Sequence, residues 1–71
     1  MERKILINFN KKIYPLKAVK LAIKEYQKLA NFILREKKSY LQVELRDIDK
    51  DVVKIIKDEF CNHVLFKSKQ N

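Results

Sequence analysis

The sequence predicts an α+β fold: a two-layer β-α-β-β-α sandwich, with a three-stranded, mainly antiparallel sheet and two helices on one face. Three observations carry this expectation. Leu41, Val43 and Leu45 alternate with Tyr40, Gln42, Glu44 and Arg46, the period of a strand buried on one side. Leu16, Val19, Ile23, Tyr26 and Ala30 recur at helical spacing just after a proline. A second helical stripe, Val53, Ile56, Phe60 and Val64, follows a run of aspartates.

Each element has its own local logic. Arg3–Phe9 reads as the first strand, with Ile5, Ile7 and Phe9 on one face and Leu6 and Asn8 on the other. Pro15 suits a first helical position, where its missing N–H would be unpaired anyway. The helix is expected to run to Ala30 and to end on Asn31, which tolerates a left-handed cap in a chain without glycine. Phe32–Lys37 and Tyr40–Arg46 then form a hairpin around Lys37-Lys38-Ser39, with Phe32 and Leu34 inward. Asp47, Asp49 and Asp51 are placed to cap a last helix over residues 50–66, with Val52 and His63 beside its stripe. If the Tyr40 strand lies between the other two, all neighbours are antiparallel. The expected organisation is one domain over residues 1–66 and a flexible tail over 67–71. Leu6, Ile33 and Tyr40 would project from the uncovered sheet face.

Composition removes whole classes of function. A chain of 71 residues without glycine cannot build a Walker-type phosphate loop, a dinucleotide fingerprint or the clamp of a KH domain. One cysteine, Cys61, supports neither an internal disulfide nor a cysteine-based zinc site, and fits a cytoplasmic setting. The apolar run Ile5–Ile7 is too short for a signal peptide or a membrane span, so no membrane partner is expected. The Asp47–Asp51 run fails as a calcium loop, because Val52 stands where glycine is needed. Cys61 and His63, two positions apart on a helix, diverge by about 200° and make no dyad. No cofactor, metal or catalytic residue is assigned.

The net charge of +8 is unevenly spread: residues 1–38 hold eleven Lys/Arg against three acids, and residues 39–71 hold six of each. Lys17, Lys20, Lys24 and Lys28 share an arc opposite the apolar stripe of the first helix. Such a face keeps a protein in solution or tracks phosphates, although three Arg against fourteen Lys is a poor ratio for base recognition. Tyr14, a poor capping residue before Pro15, points to ring packing or to a partner contact.

Ile13-Tyr14-Pro15-Leu16-Lys17-Ala18-Val19, then Ala22 and Tyr26, resemble the "YP-x-x-A-V…A" opening of the HxsD family of His-Xaa-Ser system proteins. Leu41-x-Val43-x-Leu45 and Asp58-Glu59-Phe60-Cys61-Asn62-His63-Val64-Leu65 resemble that family's strand and its closing "EF-x-N-x-x-L" helix. His63, where the family often has an acid, and Lys67 and Lys69, where it has arginine, mark a divergent member. The resemblance implies a small non-enzymatic accessory protein of a radical S-adenosylmethionine peptide or protein maturation system, whose iron–sulfur chemistry belongs to its partners. Tyr14, Pro15, Ala18, Val19, Glu59, Phe60 and Asn62 are the pattern positions, and Glu59 and Asn62 serve either as exposed polar contacts or as local partners of the backbone. Tyr14, Tyr40, Glu59 and Asn62 are therefore the expected partner-binding residues. The alternative is a nucleic-acid-binding protein using the lysine face, and a second copy of the chain is a further expected partner for the open sheet face.

Overall fold

The computed structural model describes residues 4–70, arranged as β1 (Lys4–Asn10), α1 (Leu16–Tyr26), β2 (Asn31–Glu36), β3 (Tyr40–Arg46) and α2 (Ile56–Lys69). Arg3 and Asn71, which the sequence placed in the first strand and the tail, lie outside the described residues. The sheet order is β1-β3-β2, antiparallel throughout, so β3 is central as expected. Its outward residues are more covered than those of β1, because β3 alone pairs on both sides. Register sets Ile5, Ile7 and Phe9 across from Leu45, Val43 and Leu41, with Phe32 and Leu34 across from Leu45 and Val43. All of these face the helices and join one core with Val19, Ala22, Ile56, Phe60 and Val64.

Phe60 is the hub of that core. It has no exposed surface, and its ring meets Phe9 of β1 at 6.0 Å, Tyr26 of α1 at 5.6 Å and Phe32 of β2 at 5.1 Å. Edge-on geometry at the first two contacts sets positive ring edges against negative ring faces. Tyr14 joins the cluster through Phe9 at 5.1 Å, so ring packing explains the tyrosine that precedes Pro15.

Several boundaries differ from the expected ones, each for a local reason. Pro15 stands just outside α1, at φ −68° and ψ 147°, and its carbonyl accepts from the Ala18 and Val19 amides. Helix α1 stops at Tyr26 rather than Ala30, because Asn31 must already be extended to pair with Arg46. The turn over 27–30 is pinned when the Leu29 carbonyl accepts the Asp49 amide at 2.9 Å, and Ala30 stays buried. Asn31 is therefore a strand residue, not a left-handed cap. The left-handed residue is Asp47, at φ 49°, whose carboxylate accepts from the Asn31 amide group at 2.8 Å.

The aspartates do not cap α2. The Asp49 side chain accepts the Asp51 amide at 2.9 Å, an Asx turn that competes with helix. Residues 50–55 wind as successive turns, with Val52 donating to Asp49 and Ile55 to Val52. Regular helix starts only at Ile56, and the acids of its first turn are Asp58 and Glu59. At the other end α2 continues to Lys69, past the expected stop at Phe66, with Ser68 Oγ donating to the Val64 carbonyl. Cys61, expected to face water, is half-buried against the core, and burial pushes its thiol above the ordinary range.

Removing the hub ring predicts a large loss. Phe60→Ala should cost about 3–5 kcal/mol in urea denaturation, a large part of the stability of a domain this small. Phe60→Leu, which keeps most of the apolar volume, should cost clearly less. An alanine variant as stable as the parent would contradict the role of this ring.

Candidate binding surfaces on the sheet and the first helix

The outer face of the sheet carries Lys4, Leu6, Asn8 and Asn10 from β1, Tyr40, Gln42, Glu44 and Arg46 from β3, and Ile33 and Arg35 from β2. Leu6 is 51% exposed, while Ile33 and Tyr40 are half-buried, so all three project here as the alternation requires.

A carboxylate sits at the centre of this face. The Glu44 side chain is only 3% exposed and serves three cations: Arg35 at 2.9 Å, Arg46 in a close contact, and Lys4 at 3.9 Å. Arg35 and then Arg46, each donating to the carboxylate, hold its pKa below the ordinary value of 4.5, and Lys4 adds to the effect. Three cations thus converge on this carboxylate, and it holds the two guanidiniums in place on an otherwise open surface. The sequence showed Glu44 only as an outward polar residue. Its partners lie on three strands, and only the register brings them together.

A second cluster joins the two helices. Glu25 of α1 touches His63 Nε2 and accepts from Lys67 Nζ of α2 at 3.0 Å. Lys67 and then His63 hold the Glu25 carboxyl below its ordinary range. His63 also lies over Tyr26, with centroids 5.2 Å apart. The single histidine therefore joins the helices through an acid 38 positions away, a pairing that no local spacing signals.

The four expected partner residues are not gathered in one place. Tyr14 packs into the core, Tyr40 lies on the outer sheet face, and Glu59 and Asn62 are exposed on α2, on the far side of the sheet from Tyr40. The lysine row is also shorter than expected. Lys17, Lys20 and Lys24 are exposed along α1, with Leu16 and Leu21 forming a shallow apolar floor beside them, while Lys28 lies in the turn beyond the helix. Among the described residues no group of three or more His, Cys, Asp or Glu is arranged to hold a metal ion. No described helix is long and apolar enough to cross a membrane.

No family model matches the chain, and no curated protein or solved structure does either.

The depressed carboxyl pKa values fix the sign of a pH dependence. A carboxylate whose folded pKa lies below its unfolded value adds stability above the unfolded value and loses it as pH falls through the folded one. Stability of the parent should therefore drop as pH is lowered below 4.5. Glu44→Gln should be less stable than the parent at neutral pH and should converge on it in acid, in melts followed by circular dichroism. Parallel curves at all pH values would remove Glu44 as the source.

Proposed function

We propose that this chain is a non-catalytic binding protein whose outer sheet face docks an acidic segment of a protein partner. The observation that carries this reading is the composition of the uncovered face: Lys4, Arg35 and Arg46 gather around the Glu44 carboxylate, next to the exposed Leu6. The guanidinium fork matches a carboxylate in geometry, and holding it in place beforehand lowers the ordering cost of binding. Leu6 and Ile33 supply an apolar contact between the charged groups, as interface cores require.

Charge separates the candidate occupants. Pairing two copies through this face about a two-fold axis would lay cations against cations, which disfavours the homodimer. An acidic partner is complementary. The resemblance to the HxsD family supports an accessory role in peptide or protein maturation and makes a radical S-adenosylmethionine protein, or the peptide it modifies, the first candidate. Edge strands β1 and β2 offer unpaired backbone groups that an extended peptide would extend into a fourth strand.

A photo-crosslinking residue in place of the exposed Asn8 should capture one acidic protein in the cells that make this chain, and the same residue in place of Lys54 should not. Leu6→Glu, which adds an acid outside the core, should weaken that capture roughly tenfold or more, equivalent to about 1.4 kcal/mol. Equal capture from both positions, or capture indifferent to Leu6→Glu, would count decisively against the docking face.

A further inference from the structure

We propose that the corner where the hairpin tip meets the β1–α1 turn binds the phosphate backbone of single-stranded nucleic acid. Two segments distant in the sequence form this corner. Asn10 pairs with Tyr40 at the end of the sheet, and the Lys11 amide donates to the Ser39 carbonyl at 3.2 Å. The Lys37 amide closes the hairpin on the Tyr40 carbonyl at 2.9 Å, and the Lys12 amide donates to the Asn10 side chain at 2.8 Å. Both turns are therefore held in shape without a ligand. Between them lies a shallow depression lined by Lys11, Lys12, Lys38, Asn8, Asn10, Ser39 and the Tyr40 ring.

The charge here is not internally cancelled. Lys11 is paired with Glu36 at 2.9 Å, but among the described residues Lys12 and Lys38 make no ion pair. Lys17, Lys20 and Lys24 follow in the chain, are exposed along α1, and likewise make no ion pair among the described residues. A track of several separated lysines suits a polyanion better than one small anion.

The chemistry of the lining favours nucleic acid over an acidic protein. Its residues are three lysines, two asparagines, a serine and Tyr40, so its apolar surface comes from lysine stems and Tyr40 rather than from an aliphatic side chain of the kind that anchors a protein interface. Lysines act as point charges that position a backbone without reading sequence. One half-exposed aromatic ring beside them provides a stacking platform for an unpaired base, which a duplex could not present. The Asn10–Tyr40 rung lies four residues along the sheet from the Leu6–Glu44 rung; the corner shares Asn8 and Tyr40 with the outer face but none of the Glu44 cations, so the Lys12 and Lys38 variants leave those cations in place.

The test is the salt dependence of binding, read by fluorescence anisotropy of a labelled oligothymidylate. The double variant Lys12→Gln, Lys38→Gln should lower the slope of log K against log salt by about 1.4, two single-strand phosphate contacts. Lys50→Gln with Lys54→Gln removes equal charge from the turns before α2 and should reduce it far less. Tyr40→Leu should weaken binding roughly fivefold or more at fixed salt, the loss of one stacked base. An unchanged slope in the Lys12 and Lys38 variant would overturn the site, as would equal effects of the two lysine pairs. Competition by polyglutamate as strong as by unlabelled oligothymidylate would overturn the choice of ligand.

Discussion

The ring of Phe60 is the constraint on which the rest of the structure depends. It is the one side chain in ring contact with β1, α1 and β2 together, so it holds α2 over the sheet and fixes how far α1 stands from it. A chain of 71 residues has few such anchors, and most of its buried apolar side chains are used on this inner side. Nothing comparable is left for a second layer. The bare outer face follows directly from spending the apolar residues around one ring.

That bare face has to remain ordered and soluble without a covering layer. β3 is the central strand, so its outward residues have neighbours on both sides and cannot turn freely into water. A cation at the Glu44 position would be set against Lys4, Arg35 and Arg46. The carboxylate instead ties the three strands together from outside, while Phe60 ties them from inside. Each of the three strands thus gives the outer face a cation directed at one central carboxylate.

Much of the fold was legible because burial writes a period into the sequence. Leu41, Val43 and Leu45 could sit on one face only, and Leu16, Val19 and Ile23 could share a side only on a helix. The ends were less legible, since they depend on contacts across the chain. Helix α1 stops where β2 must begin pairing, and Asp47 takes the left-handed position because its carboxylate meets Asn31 from another element. The aspartates looked like a helix cap because Asx turns and N-caps use the same side-chain acceptor. The binding surfaces were the least legible of all. Glu25 with His63 and Glu44 with Arg35 are partners of packing and register, and Lys12 and Lys38 line one depression only because the sheet pairs β1 with β3; residue spacing carries no mark of any of them.

The two turns at the corner show how a glycine-free chain manages tight connections. Neither the β1–α1 turn nor the hairpin tip uses a positive φ angle, and Asp47 is the one such non-glycine residue described. Each instead satisfies its backbone through a neighbour: Lys12 through the Asn10 side chain, Lys11 through Ser39, and Lys37 through Tyr40. Held in this way, the two turns set Lys11, Lys12 and Lys38 around one depression. A purely solubilising set of lysines gains nothing from being gathered on two mutually bonded turns, and would be better spread. Lys12 and Lys38 make no ion pair among the described residues, and the corner adds to this a backbone closed between two turns that are distant in the sequence.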